Sequence, residues 1–234
     1  MERIQTGIPG FDDIIGGGIP VSSSVLISGG TGTCKTIFCM QYIYNGAKVF
    51  NDPGLYVTIE SNVKNITWDM QSFGWDIRAL QDRKMVNIYR LKFGGKQNME
   101  DQLDNELETI AEIVKEQNIK RLSVDSTTAL GVYLERSQNM RHMLFKFVDS
   151  LKDLGCTTFL TSETKPEKTT FSAFGVEEFV VDGLVVLYFS PPHRYIYIRK
   201  MRGTKHSKAV HPFDISDEGV KVNSKEQVLW EAIK

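Results

Sequence analysis

The sequence has 234 residues, with 28 Lys+Arg against 29 Asp+Glu and a formal net charge of −1. That length suits one domain or one with embellishments, and it buries about 70–75% of its unfolded surface without staples. The 41% apolar and 24% charged fractions exclude a disordered, collagenous or disulfide-scaffold chain, and the balanced charge argues against a surface built wholly for nucleic acid, leaving room for a local patch.

Residues 1–20 read as a segment leading into the core, and 1–234 as a single domain without linker, repeat or low-complexity tract. The run SVLIS (24–28) is apolar, and 35–50 reads as a helix. LYVTIE (55–60) has the β-branched and aromatic content of a strand, 62–73 is amphipathic, and MVNIYRL (85–91) is strand-like. Over 100–117, Leu103, Leu107, Ile110, Ala111 and Val114 share one helical face. RLSVD (121–125) is the next strand. Residues 137–154 repeat the helical spacing up to Gly155, placed as a C′ glycine, and CTTFLTS (156–162) follows. This alternation predicts an α/β fold with a mainly parallel sheet covered on both faces. Beyond residue 180 the strands GLVVLYF, RYIYIRKM, HPFDIS and GVKVN have short connections and predict an antiparallel extension, with SKEQVLWEAIK as a short terminal helix.

Cys34, Cys39 and Cys156 are odd in number and lack C-x-x-C spacing, which argues against disulfides or zinc and for a reducing compartment. MERIQTGIPGF lacks the apolar region of a leader, and the greasiest stretch, 179–189, is too short for a bilayer and carries Asp182. The expectation is a cytoplasmic protein with no membrane contact.

Gly29, Gly30, Thr31, Gly32, Thr33, Cys34, Lys35 and Thr36 form a glycine-rich turn between a strand and a helix, the context of a phosphate-binding loop. Backbone N–H groups and the helix N-terminus would cradle phosphate, Lys35 would reach the β- and γ-phosphates, and Thr36 would offer its hydroxyl to Mg²⁺. The motif asks for glycine where this chain has Cys34. A thiol at a helix N-terminus beside a lysine is also expected to have a lowered pKa, which raises a redox switch as an idea alongside a tolerated substitution. Asp125 ends RLSVD, where an acid holds Mg²⁺ in phosphate-loop proteins; an N-cap is the alternative. Glu60 ends LYVTIE, and polarising a water and simple solvation are equally compatible with its position.

Several segments then act together: TGIPGFDDIIGGGIP (6–20), YVTIES (56–61), SFGWD (72–76), VDSTTAL (124–130), GVEEF (175–179) and KMRGTKHSK (200–208). With these the chain resembles a single-domain member of the KaiC-like ATPases of the RecA superfamily. The resemblance implies a RecA-like core, ATP and Mg as cofactors, and a homo-oligomeric ring, usually a hexamer, with ATP at the subunit interfaces. It implies that Lys35 and Thr36 bind phosphate and Mg, that Asp125 is the Walker B acid, and that Glu60 activates water. The family's second glutamate is replaced here by Ser61, a departure that slows hydrolysis. From Gly183 to Phe213 there is no acid, yet Arg194, Arg199, Lys200, Arg202, Lys205 and Lys208 lie there. The resemblance makes Lys200 and Arg202 candidates for charge supplied to a neighbouring subunit's γ-phosphate, with Lys208 and His206 in the same segment. Glu178-Phe179 stands where the clock protein's second domain phosphorylates itself, so no such autophosphorylation is expected at Thr169, Thr170 or Ser172.

The reading is a slow Mg-dependent ATPase that signals through its nucleotide state to an unidentified protein partner. Two alternatives stand beside it. One is a recombinase paralogue binding single-stranded DNA through loops at 126–140 and 164–175, although Arg136, Lys165 and Lys168 are offset there by Glu135, Glu163 and Glu167. The other is a nucleotide sensor with little hydrolysis, to which Cys34 and Ser61 both point.

Overall fold

The computed structural model describes residues 1–94, 98–135, 139–164 and 171–232. A short N-terminal ribbon pairs β1 (Arg3–Ile4) with β2 (Ile19–Pro20) around the single helical turn α1 (Phe11–Ile14). The chain then alternates. It runs β3 (Ser24–Gly29), α2 (Lys35–Val49), β4 (Gly54–Thr58), α3 (Val63–Gln71), α4 (Ile77–Asp82), β5 (Val86–Arg90), α5 (Met99–Glu116) and β6 (Arg121–Asp125). It continues through α6 (Thr127–Leu134), α7 (Met140–Asp153), β7 (Thr157–Glu163), α8 (Glu177–Val180) and β8 (Gly183–Ser190). The last strands are β9 (His193–Met201), β10 (Val210–Ser216) and β11 (Gly219–Val222).

The main sheet has nine strands in the order β11-β10-β9-β8-β3-β7-β6-β4-β5. β5, β4, β6, β7, β3 and β8 are parallel, and β8 to β11 continue as antiparallel neighbours. The expected fold class and its antiparallel extension are both present. Alternate residues of β3 explain why both faces are covered. Val25 and Ile27 join a core with α2, α3 and α4, while Leu26 joins one with α5, α6 and α7.

Three details differ from the sequence reading. The stretch 126–140, read as a loop, is mostly α6, capped where the Ser126 hydroxyl accepts from Ala129 N–H at 3.1 Å. β4 ends at Thr58, so Glu60 lies in a bend beyond the strand. Among its described residues the tail is not an α-helix: Val228 bridges to Val210, and a 3₁₀ turn forms at Trp230–Ala232. There Trp230 sets its ring edge-on to Tyr197 at 4.9 Å, a tertiary contact that outweighs the weak intrinsic helicity of so short a segment. Among the described residues no helix is long and apolar enough to cross a membrane.

Candidate functional site

Four parallel strands end at one edge of the sheet and feed one cleft. β3 ends at Gly29, β6 at Asp125, β7 at Glu163, and β4 two residues before Glu60. Register aligns them, with Gly29 beside Glu163 and Thr58 beside Asp125. The cleft, about 310 Å³, is lined by Thr31, Gly32, Cys34, Lys35, Thr36, Glu60, Ser61, Asp125 and Glu163. This is where open α/β sheets bind ligands.

The turn after β3 has the shape an anion needs. Gly32 sits at φ +79° and Cys34 at φ +71°, left-handed values of the kind that let successive amides line a concave turn. A Cβ at Gly29 would stand 2.6 Å from Thr33 Oγ1 and 2.7 Å from the Leu187 carbonyl, so only glycine fits there. Thr33 Oγ1 donates to the Gly30 carbonyl at 2.8 Å and tightens the turn. α3, α4, α5 and α6 begin with side chains that accept first-turn N–H groups, but Cys34 caps α2 with none. The first-turn donors of α2 therefore have no side-chain cap to accept them.

Lys35 Nζ donates to the carbonyls of Gly29 and Gly30, each at 3.0 Å. Burial pulls its pKa below the ordinary lysine value, and the carboxylates of Glu163 and Asp125 pull it partly back. Asp125 accepts three hydroxyls. Thr36 (2.7 Å) and Tyr56 (2.6 Å) reach Oδ2, and Thr161 (2.5 Å) reaches Oδ1. Burial and the Asp125 charge push the Tyr56 phenol well up, so it stays a donor. Among the described residues no three His, Cys, Asp or Glu side chains cluster to hold a metal. The donor set instead suits Mg²⁺, which takes one or two protein oxygens and completes its shell with phosphate and water. Thr36 and Asp125 present oxygens of that kind to the cleft, 2.7 Å from one another.

Glu60 is exposed at the cleft mouth. Its backbone carbonyl accepts from Arg90 at 3.4 Å, and its carboxylate has no partner among the described residues. Ser61 N–H donates to Thr58 Oγ1 at 3.2 Å. The lowered pKa expected for Cys34 is not found. Burial pushes the thiol up, and Arg194 and Lys35 only partly offset it, so the redox idea loses its basis.

Lys200, Arg202 and Lys208 are not in this cleft. Lys200 pairs with Leu184, which lies beside Leu26, and Met201 pairs with Gly183 beside Val25. These positions mark the amino end of β3, the edge opposite the phosphate loop. Lys200 Nζ donates to the Val181 carbonyl at 2.5 Å and the Glu178 carbonyl at 3.3 Å. Arg202 pairs with Asp182 at 3.4 Å, and Lys208 is exposed on the segment between β9 and β10.

A family model described as "ATPase: KaiC" matches residues 4–227. The chain belongs to the KaiC family of ATPase domains. It is 37% identical over 229 residues to the circadian clock oscillator protein KaiC of Parathermosynechococcus lividus, covering 95% of this chain and 42% of that protein. It thus spans under half the length of the clock proteins it matches. It is 35% identical to the UPF0273 protein MJ1359 of Methanocaldococcus jannaschii, covering 94% of this chain and 96% of the other. The crystal structure of the KaiC-like protein PH0186 from Pyrococcus horikoshii OT3 superposes with a TM-score of 0.85 at 39% identity, covering 94% of this chain and 98% of that one.

Within this KaiC-type core, Tyr56, Thr161, Glu163 and Arg194 surround the loop without having been singled out as site residues. The signal for Thr161 was a hydroxyl directly after the apolar pair Phe159-Leu160 near the carboxyl end of a buried strand. The signal for Glu163 was its place two residues further on, at the strand's carboxyl end. Arg136, Lys165, Glu167, Lys168, Thr169 and Thr170 lie outside the described residues.

Proposed function

We propose that the chain is a Mg-dependent ATPase of low turnover whose site is completed between subunits of a ring. The observation that carries the reading is the Thr36 hydroxyl on Asp125 at 2.7 Å, directly after a loop whose lysine is parked on its own carbonyls. An ammonium resting on neutral carbonyls gains by exchanging them for phosphate oxygens, which bear full charge. Lys35 and the amides of residues 30–36 would then bind the triphosphate, while Thr36 and Asp125 hold Mg²⁺. The ion they hold would supply neutralising charge to the phosphates. Tyr56 and Thr161 fix the Asp125 carboxylate, and Glu60, with a free carboxylate at the mouth, orients and deprotonates the attacking water.

Lys200 and Arg202 face away from their own chain's cleft, at the other edge of the sheet. A ring that brings one subunit's amino-end edge against the next subunit's cleft supplies them in trans, with Lys208 beside them. This arrangement supports a homo-oligomer, hexameric by the family resemblance, that signals to a protein partner.

The test is calorimetric titration of the full chain with ATP and Mg, followed by single-turnover hydrolysis and sedimentation with and without ATP. Binding lost in Lys35→Ala but kept in Glu60→Gln, with turnover lost in both, is the expected pattern. Absence of heat with any purine nucleotide sinks the reading. The sensor alternative rests on Cys34, held at a left-handed φ of +71° where the motif has glycine, and on Ser61. Tight binding with no single-turnover product would select it. A salt-independent failure to bind single-stranded DNA would dispose of the recombinase alternative.

A further inference from the structure

The acid-free basic stretch divides by position. Lys200 and Arg202 stand at the amino-end edge, but Arg194 comes to the phosphate loop of its own chain. In the β8–β9 hairpin Phe189 and Arg194 are cross-strand partners, lying just beyond the pair Leu187–Ile196. Leu187 is beside Gly29, so both side chains project past the end of β3. The Arg194 guanidinium lies 4.5 Å over the Phe189 ring. Its Nε donates to the Gly32 carbonyl at 3.2 Å. The same ring lies 3.4 Å from where a Cβ on Gly32 would stand, so ring and guanidinium together wall residues 32–34.

That wall meets the loop where its sequence is least suited to its shape. Cys34 holds φ +71°, a conformation that glycine adopts freely and a side-chain-bearing residue adopts only under constraint. No side-chain cap steadies this residue at the start of α2; its Sγ approaches the same Gly32 carbonyl at 3.5 Å and also meets the Arg194 guanidinium. Inside the loop, Thr33 Oγ1 and Lys35 Nζ tie the turn to the carbonyls of Gly29 and Gly30; the contact that reaches residues 32–34 from outside is Arg194.

We propose that Arg194, stacked on Phe189, is a positioning residue that holds residues 32–34 in the triphosphate-binding curl which a glycine at position 34 would reach unaided. The inference rests on the ATP-binding reading above and deepens it. It predicts coupling: Arg194 matters because Cys34 is there. A merely structural arginine in a hairpin would matter equally whatever occupied position 34.

A double-mutant cycle on the full chain decides this, with ATP and Mg titrated calorimetrically into the wild type, Arg194→Ala, Cys34→Gly and the double variant, and thermal melting run in parallel. Arg194→Ala is expected to weaken ATP binding about tenfold, the scale of one charge-assisted contact. Cys34→Gly should bind as tightly as wild type or tighter. The double variant should recover to within about twofold of Cys34→Gly. If Arg194→Ala lowers the folded fraction, Phe189→Leu serves in its place: it keeps an apolar side chain, removes the stack, and should show a smaller loss that Cys34→Gly again rescues. Equal losses in the wild-type and Cys34→Gly backgrounds, or no loss at all, overturn the positioning role while leaving the ATP reading intact. A wild-type protein that binds no ATP overturns both.

Discussion

The two ends of the parallel sheet handle charge in opposite ways. At the amino ends charge is paired within the fold. Arg121, fully buried at the start of β6, bonds Asp52 at 2.7 Å between the rings of Tyr42 and Phe50. Asp182 gathers Lys152, Arg202 and the Ser24 N–H. At the carboxyl ends Lys35 rests on carbonyls, Glu60 has no carboxylate partner among the described residues, and α2 begins without a side-chain cap. Satisfied charge marks what holds the fold, and under-satisfied charge marks where a ligand belongs. Lys200 and Arg202 are the exceptions, basic groups at the satisfied end whose proposed work is at the other end of a different subunit.

The strongest way to break this comparison is to separate the two ends genetically. Lys200→Ala or Arg202→Ala should lower turnover about 10³-fold, the low end for charge supplied in trans to a phosphoryl group, with ATP affinity changed little. Mixing Arg202→Ala with Lys35→Ala subunits should then restore part of the activity. Some mixed interfaces pair an intact loop with an intact arginine, which neither parent has. No recovery in rings shown to be mixed would mean that the two ends never meet.

Much of this was legible beforehand. β3, α2, β6 and the loop between β3 and α2 followed from an apolar run, a 3.6-residue period and a glycine-rich turn. α6 did not, because TTALGVYL is apolar on nearly every side and carries no helical period. The roles of Tyr56, Thr161 and Arg194 were illegible for a different reason. Each depends on register between strands distant in sequence, and no local pattern encodes that. Arg194 in particular differs from Lys200 only in which end of β9 it occupies.

At the amino end, Asp52→Ala sharpens the same contrast. It strands a buried guanidinium and should cost about 3–5 kcal/mol of stability in urea unfolding. A loss under about 1 kcal/mol would show that water reaches Arg121. Replacing both partners, as in Arg121→Met with Asp52→Ala, should recover much of the loss, since Gly46 leaves room for that side chain: a Cβ there would stand 2.2 Å from Arg121 Cδ.

At the carboxyl end the matching change is milder. Thr161→Val removes one of three hydroxyls from Asp125 while keeping shape, and should cost about 1.5–3 kcal/mol in Mg-dependent ATP affinity, the range for a hydrogen bond to a charged group. The melting temperature should move far less than in Asp52→Ala. If stability falls and affinity does not, Thr161 belongs to the fold, and the boundary between the two ends is drawn in the wrong place.

The smallest effect expected is on the acid limb of stability. Burial raises the pKa of Asp182, but the Ser24 N–H, the Lys152 ammonium and the Ser24 hydroxyl outweigh it, so the folded value lies below the ordinary 3.8. A carboxyl with a depressed folded pKa binds its proton more readily when unfolded. Its stabilisation is therefore complete above the unfolded value and drains away as pH falls through the folded one. Urea unfolding between about pH 3 and pH 6 should show wild type losing stability more steeply below pH ~4 than Asp182→Asn, and standing above it near neutrality. Parallel curves would mean that Ser24 and Lys152 do not hold this carboxylate in solution.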